Sequence, residues 1–464
     1  MWSGSIANLV ESYISKEVPF RFRGIDFSFA LSHGLFSSND IDTGTRRLLQ
    51  VLSQTWDADI AEGRPLPRSV LDAGCGVGVI GICAARALME IKPVAGADES
   101  SPPFFVRAQD RDELARLFTE YNAEKNSLKT DAPIPLTAHT EPLLAFPADH
   151  RWDLILTNIP AKAGEPVLED FVRRSIELLS PSGRVIMVAV NTLSCFFRSL
   201  INQNGVLVRE ETGREHTVFV YQKRAAETGI AGPIIAGEHF IKNNSFYLRS
   251  SDDYEMEGIR YHIDAVHGAA EFDRPGAAAV AAAKLVSRLG LEKVCPPMAE
   301  GQTTPGSAIL IHECGQGHFP AWLLRRGLRA DRLVLSGRNI LALEAARHNT
   351  QAAARTSCQS NGAALAIQVI PSTELPLEHP TEPGPYSLIA AFPETVPGTD
   401  RFTALWEDLA RLLLPGGTAL IALPSSEAEK FDRKKTAGGP NGPHFTRLGD
   451  IKRQGFRALA YRKN

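Results

Sequence analysis

Cysteine is scarce: six residues in 464, at positions 75, 83, 195, 295, 314 and 358, with no C-x-x-C pair among them. A disulfide framework and a paired-cysteine zinc knuckle are therefore excluded. Long apolar runs are missing as well. Stretches such as Val185 to Val190 fall far short of the roughly 20 residues that cross a bilayer as a helix. The opening Met1-Trp2-Ser3-Gly4 lacks a basic region followed by an apolar core, which predicts no secretory signal and a soluble, cytoplasmic protein with no membrane partner. Neither charge is in surplus: Lys+Arg 50 against Asp+Glu 53 leaves a formal net charge of −3. That excludes a globally basic nucleic-acid coat but not a local basic face. What is present is a globular composition, 44% hydrophobic and 22% charged, in a chain long enough for about two large domains or three average ones.

The chain also repeats itself. Gly24-Ile25-Asp26-Phe27-Ser28-Phe29 through His33-Gly34 reappears as Gly258-Ile259-Arg260-Tyr261-His262-Ile263 through His267-Gly268, at an offset of 234 residues. Gly44-Thr45 and Gly276-Ala277 each open a helical pattern. Leu179-Ser180-Pro181-Ser182-Gly183 matches Leu414-Pro415-Gly416-Gly417, and a strand-like run follows each. Between these landmarks both halves carry a strand, a glycine-rich turn and a helix, at Ser69–Leu88 and Ala308–Leu324. Landmarks recurring in one order at nearly one offset indicate a tandem duplication. Its boundary falls near residues 224–240, where Thr228-Gly229-Ile230-Ala231-Gly232-Pro233 reads as a linker.

Within the first half the pattern alternates. Ser69 to Asp72 predicts a strand, Val79 to Leu88 a helix, Pro93 to Ala97 a second strand, and Asp112 to Lys125 a polar amphipathic helix. Asp153 to Thr157 predicts a buried strand, and Leu168, Phe171, Val172, Ile176 and Leu179 fall on one helix face. Arg184 to Val190 is a further strand, and Val206 to Gln222 a closing hairpin. Such alternation implies an α/β fold, a mostly parallel sheet covered on both faces. Ligands of such sheets bind at the carboxyl ends of the strands, near the switch in strand order.

Three segments stand at those ends. Asp72-Ala73-Gly74-Cys75-Gly76-Val77-Gly78 lets the backbone turn tightly and approach a ligand, while the following helix supplies unpaired N–H groups; a bare structural turn is the alternative. Asp98 ends the predicted second strand, 26 residues after Asp72, where a carboxylate can accept both hydroxyls of a ribose; otherwise it is a solvated turn residue. Asn158-Ile159-Pro160 ends the fourth strand, where an amide oxygen can accept from an amine and proline stiffens the turn, unless it is an ordinary Asn-x-Pro turn.

Together these segments resemble class I S-adenosylmethionine-dependent methyltransferases, and within them the "methyltransferase small" family of RsmC-type ribosomal RNA guanine-N2 methyltransferases and their single-domain archaeal relatives. The resemblance runs from about Phe20 to Lys223. Gly34-Leu35-Phe36-Ser37 with Asp40-Ile41-Asp42-x-Gly44-Thr45 is similar to the family's opening segment, and the glycine turn to its cofactor loop. Asn158-x-Pro160, then Ala163-Gly164, resembles its N-P-P turn. The resemblance implies S-adenosyl-L-methionine as cofactor, with Asp72, Gly74, Gly76 and Gly78 lining it and Asp98 holding its ribose. It further implies that Asn158 and the backbone around Pro160 orient the amine to be methylated at the cofactor. Three departures stand out. Ile159 replaces the first proline, Ala161 stands where many members carry an aromatic, and only Thr140-Glu141 represents the acid or amide near the adenine. A long Asp98–Asn122 segment suggests an insertion in the second crossover.

The second half keeps the frame and alters the chemistry. Ile311 stands at the position of Asp72, Glu313 at that of Gly74, Ser336 at that of Asp98 and Phe392 at that of Asn158. The expected architecture is thus two tandem Rossmann-like class I methyltransferase domains, each ending in an antiparallel hairpin: a catalytic one at 1–225 and a degenerate one at 226–464, serving substrate binding or structure. In RsmC-type enzymes the degenerate copy comes first, the reverse of the order here. His312, Cys314 and His318 are too few for a metal centre, and no metal is expected. Cys75 lies at a helix N-terminus that could lower its pKa, though no His–acid pair accompanies it. His33 and His267 recur in both halves and read as structural. The basic residues Lys430 to Lys435, Arg447, Lys452, Arg453, Arg457, Arg462 and Lys463 form either a solvated face or an RNA contact.

The implied function is N-methylation of an exocyclic amine of guanine in ribosomal RNA, with RNA or a ribosomal subunit as partner. A protein glutamine or a small-molecule amine is an alternative substrate. A non-catalytic RNA-binding or assembly factor is the alternative outside enzymology.

Overall fold

The computed structural model describes residues 4–36, 38–91, 104–128, 135–145, 150–224, 240–271, 273–295, 308–356, 365–376, 386–396, 401–436 and 445–464. The chain divides into two units, Met1–Ala236 and Gly237–Asn464. The linker expected at Thr228–Pro233 lies outside the described residues.

In the first unit, α1 (Gly4–Tyr13) leads into a hairpin of β1 (Ile14–Phe22) and β2 (Ile25–Ser32), and α2 (Thr43–Ala61) follows. Then come β3 (Ser69–Ala73), α3 (Val79–Glu90), β4 (Phe105–Asp110), α4 (Glu113–Lys125), β5 (Leu136–Thr140) and β6 (Trp152–Asn158). The unit closes with α5 (Glu165–Glu177), β7 (Leu179–Val190), α6 (Ser194–Asn204), β8 (Val206–Thr212) and β9 (His216–Gln222). Seven strands form one sheet in the order β5-β4-β3-β6-β7-β9-β8. The first five in that order run parallel, and β9 is antiparallel to both β7 and β8. The order reverses beside β3, so a crevice opens at the carboxyl ends of β3, β4 and β6.

Local sequence explains these elements. Every residue of β3 is buried, as are nine residues of α3, from Val79 to Leu88. This is the near-continuous apolar character of a strand and helix packed inside a parallel α/β sandwich. Helix α5 buries Leu168, Phe171, Val172 and Ile176. Leu179 does not extend that face; it begins β7 and pairs with Trp152. A Cβ on Gly183 would stand 2.5 Å from the Trp152 carbonyl oxygen, so the irregular register there requires glycine.

The second unit opens with α7 (Phe240–Asn243) and the hairpin β10 (Leu248–Met256) and β11 (Ile259–Val266), then α8 (Ala277–Leu289) and α9 (Leu291–Val294). It continues with β12 (Ala308–His312), α10 (His318–Arg325), β13 (Arg332–Gly337), α11 (Ile340–Thr356), β14 (Ala366–Pro371) and β15 (Tyr386–Ala391). Next are α12 (Phe402–Leu412), β16 (Leu413–Pro424), α13 (Ser425–Arg433), β17 (Phe445–Arg453) and β18 (Phe456–Lys463). Its sheet order, β14-β13-β12-β15-β16-β18-β17, repeats that of the first unit strand for strand. One core packs α8, α10, α11 and the hairpin against one face; the other centres on Trp406, Leu409 and Phe431 of α12 and α13.

Two further details recur. Both hairpins turn through a positive-φ pair, Arg23-Gly24 and Glu257-Gly258, the type I′ geometry. Both carry a register shift near the start of their first strand, at Ile14/Lys16 and at Leu248/Ser250. The α/β architecture with two methyltransferase-like sheets is as expected. The second strand is not where it was expected: 93–97 lies outside the described residues, and the strand beside β3 is β4. Phe105–Asp110 of the Asp98–Asn122 segment is β4 itself and α4 follows at Glu113, so the length of that segment does not mark an insertion in the second crossover.

Candidate active site

Strand β3 delivers Asp72 to the crevice. The carboxylate is fully buried; its Oδ2 accepts from the Gly81 N–H at 2.8 Å, while Oδ1 has no partner among the described residues. Burial raises its pKa to about 7. In the turn that follows, Gly76 sits at φ +55°, and a Cβ there would meet nothing within 4 Å. Gly74 is nearly as open, with only Leu143 Cδ2 at 3.9 Å from such a Cβ. Gly78 differs. A Cβ there would stand 2.9 Å from both Ile82 Cδ1 and Thr119 Cγ2, so this glycine serves close packing of α3 and α4. An orphaned buried carboxylate oxygen beside an open, glycine-lined turn fits a ligand that carries an ammonium group.

Asp98 lies outside the described residues. The acid that ends the strand next to β3 is Asp110, which the sequence reading missed. Its Oδ2 accepts from the Gly76 N–H at 3.1 Å and its Oδ1 from the Asp112 N–H at 3.1 Å. A carboxylate has about four lone-pair sites, so capacity remains for a ribose. Burial, then the charge of Asp112, raises the Asp110 pKa. Beside it, the buried Gln109 takes the Gly74 and Cys75 N–H groups on its carbonyl at 2.9 and 3.0 Å. Its side chain donates to the carbonyls of Leu143 and Ala145. Glu141 is paired with Arg107 at 2.5 Å.

Asn158 ends β6. Its Nδ2 donates to Asp42 Oδ2 at 2.9 Å and to Thr45 Oγ1 at 3.1 Å. Asp42 caps α2, with Oδ2 also accepting from Gly44 N at 2.9 Å and Thr45 N at 3.2 Å. The opening segment singled out in the sequence thus meets the Asn-x-Pro turn directly. Ile159 is buried, and its N–H donates to the Val188 carbonyl at 3.2 Å, a bond that proline could not make. The Pro160 carbonyl closes the turn by accepting from Ala163 N at 3.0 Å. Thr157 Oγ1 donates to the Ala73 carbonyl at 2.7 Å, tying β6 to the end of β3.

The corresponding crevice of the second unit is filled by its own side chains. Glu313, at φ +55°, accepts from Arg338 N at 2.9 Å, and Arg338 pairs with Glu394. The Glu271 carboxylate caps the Gly276 N–H and lies against Gly315, where a Cβ would stand 2.5 Å from Oε2. Phe392 packs edge-on against Phe319, with centroids 5.2 Å apart. Register also corrects one equivalence. Ser336 pairs with His312 as Gln109 pairs with Ala73, so Gly337 is the residue that stands at Asp110. Helix caps correct another: Gly276, the cap of α8, stands opposite Asp42 rather than Gly44.

Among the described residues no group of three or more His, Cys, Asp or Glu side chains could hold a metal ion. His312 Nδ1 meets Ser336 Oγ at 2.9 Å, and burial lowers its pKa to about 3. The two ring nitrogens of His318 meet Tyr261 Oη and the Glu271 carbonyl. Cys75 is buried, and burial drives its thiol pKa well up rather than down. His33 and His267 use their backbone N–H groups to reach Tyr13 and Tyr247. Part of the basic C-terminal stretch is ion-paired: Arg447 and Arg457 pair with Asp450, Arg447 also with Asp432, and Lys430 with Glu427. Lys463 donates to the Ala410 and Leu413 carbonyls. No described helix is long and apolar enough to cross a membrane.

Residues 26–207 match the Methyltransferase small domain family. A 172-residue stretch is 28% identical to the uncharacterized protein YbxB of Bacillus subtilis, covering 36% of this chain and 71% of that one. Over 98% of this chain and 100% of the other, the structure is similar to that of the T. thermophilus 16S rRNA N2 G1207 methyltransferase (RsmC) in complex with AdoMet and guanosine, at 16% identity and a TM-score of 0.56. The open glycine turn, the orphaned carboxylate and the Asn-x-Pro turn all fall within the matched residues. The first unit of this chain is a methyltransferase small domain with the class I, S-adenosylmethionine-dependent methyltransferase fold.

Proposed function

We propose that the protein methylates an exocyclic amine of guanine in ribosomal RNA, using the first unit alone for catalysis. The observation that carries this reading is Asn158: a side-chain amide whose nitrogen is held by Asp42 and Thr45 at the carboxyl end of β6, across β3 from the acid that ends β4. S-adenosylmethionine supplies a methyl group on a sulfonium, which an amine nitrogen takes up by direct displacement. Asp72 and the turn at Gly74 and Gly76 would hold its amino-acid half, and Asp110 its ribose. Asn158 Oδ1 accepts from the amine and the turn's backbone steadies it, so the nitrogen lone pair faces the methyl. As the carbon–nitrogen bond forms, the carbon–sulfur bond breaks to leave a neutral thioether, and the nitrogen's proton passes to water.

Support for RNA as substrate comes from the full-length likeness to a protein described as a 16S rRNA methyltransferase. The shared strand order and hairpin irregularities support a tandem duplication in which the second copy serves substrate handling or structure. The acid partners of Lys430, Arg447 and Arg457 favour reading that part of the C-terminal stretch as a solvated face over phosphate contact. Incubating the protein with ribosomal subunits and labelled cofactor, followed by nucleoside mass spectrometry, tests the proposal. N2-methylguanosine in the RNA supports it; label in ribosomal protein instead would move the reaction to a glutamine.

A further inference from the structure

Asp42 carries two duties on one oxygen. Its Oδ2 caps α2 through Gly44 N and Thr45 N, and it also accepts from Asn158 Nδ2 at 2.9 Å. A carboxylate only accepts, so the side of the Asn158 amide that faces it has to be the NH₂ group. The amide oxygen is thereby turned away from α2. An asparagine held by nothing can rotate by half a turn about its last bond and exchange acceptor for donor. Here the exchange would set the amide oxygen against a carboxylate oxygen.

The second unit offers an internal comparison. Gly276 stands where Asp42 stands, and the hairpin offset of 234 places Ala279 opposite Thr45. Phe392 stands at Asn158. All three members of the hydrogen-bonded set are absent together. By contrast, a buried amide that ties the hairpin to the glycine turn is kept. Asn122 bonds Ala30 N, Ala30 O and Val77 O, and Asn349 bonds Asp264 N, Asp264 O and Gln316 O in the same way. Architecture persists in the second unit, while this set disappears as a group.

We propose that Asp42 is a positioning residue that fixes the orientation of the Asn158 amide, so that Oδ1 and not Nδ2 is presented to the amine. Thr45 Oγ1 is the second anchor. The inference rests on Asn158 being the amine acceptor, and it concerns the methyl-transfer step rather than cofactor binding.

The test separates the cap from the anchor. Serine is as good a helix cap as aspartate, but its shorter side chain does not reach Asn158. Asparagine keeps both the cap oxygen and its reach. In the full-length protein, the Asn158 side-chain NH₂ resonances are identified by their loss in Asn158→Ala. Asp42→Ser is expected to speed their exchange with water about ten-fold or more, in keeping with loss of a charge-assisted bond. Asp42→Asn is expected to leave them slow. On ribosomal RNA, Asp42→Ser should lower kcat about ten-fold, with S-adenosylmethionine affinity and melting temperature unchanged, and Asp42→Asn should restore most of the rate. Unchanged amide exchange in Asp42→Ser overturns the inference, as does an unchanged kcat despite fast exchange. A fall in melting temperature that accounts for the lost rate reduces Asp42 to a cap and also overturns it. If the wild-type protein transfers no methyl group to RNA, the substrate reading fails, and the exchange measurement alone decides the role of Asp42.

Discussion

At the scale of single residues, Asn158 is where chemistry and structure meet most closely. Asn158→Ala should leave cofactor affinity within a few-fold and lower turnover by about two orders of magnitude, the usual cost of losing one positioned catalytic group. From acceptor chemistry alone, Asn158→Asp should be the milder change. The contact with Asp42 reverses that expectation, because a second carboxylate would stand about 2.9 Å from Asp42 Oδ2. Asn158→Asp should therefore be no more active than Asn158→Ala, as single-turnover rates would reveal. The paired asparagines Asn122 and Asn349 make a different prediction. Each satisfies three buried backbone groups that would otherwise be stranded. Replacing either with leucine should destabilise its own unit by about 2–4 kcal/mol, read from chemical denaturation. A loss below about 1 kcal/mol would mean water replaces the amide. Neither asparagine was legible in the sequence, because an Asn in the middle of an amphipathic helix reads as surface.

At the scale of elements, the alternation of strand and helix was readable wherever a strand holds an unbroken apolar run, as at Leu154–Leu156 in β6 and Val185–Val190 in β7. It failed at β4. Phe105-Val106-Arg107-Ala108-Gln109-Asp110 mixes polar residues into an interior strand, and the more apolar Pro93–Ala97 drew the assignment instead. Arg107 is tolerated there because Glu141, just past the end of the neighbouring β5, neutralises it. Gln109 is tolerated because its buried amide meets two carbonyls. Partners brought by the fold cannot be seen in a local window. The consequence is testable: Asp110→Asn should weaken S-adenosylmethionine binding by about 1.5–3 kcal/mol, the range for hydrogen bonds to a charged group. Asp98→Asn serves as the companion. Titration calorimetry showing the loss at Asp98 and none at Asp110 would return the ribose to the earlier position.

At the scale of the whole molecule, one sheet topology appears twice with one open crevice and one filled by its own glutamates. The duplicated landmarks were visible in sequence, and so was the altered chemistry at Glu313 and Phe392. The part played by Glu271 was not, because it depends on a carboxylate turning into the space over Gly315. The units should respond to solution conditions separately. Saturating S-adenosylmethionine, at about 100 times its Kd, should stabilise the first unit by about 2.7 kcal/mol and leave the second unchanged. The second has a pH response of its own. Burial raises the Glu271 pKa from 4.5 to about 7, so between those values the folded unit binds more protons than the unfolded chain. The contribution of Glu271 to stability then falls as pH rises through that window and stays low above it. Glu344 and Asp408, in the same unit, are also raised to about 7 by burial and contribute with the same sign, whereas His312, lowered to about 3, contributes with the opposite sign below pH 6.5. Glu271→Gln keeps an oxygen for the Gly276 N–H and removes the ionisation. It should stabilise the second unit by about 1–3 kcal/mol at pH 8, with little effect at pH 4.5. Denaturation followed at both pH values, with the first-unit transition as internal control, measures this difference. Equal effects of the substitution at the two pH values would mean that Glu271 ionises freely and does not plug the crevice.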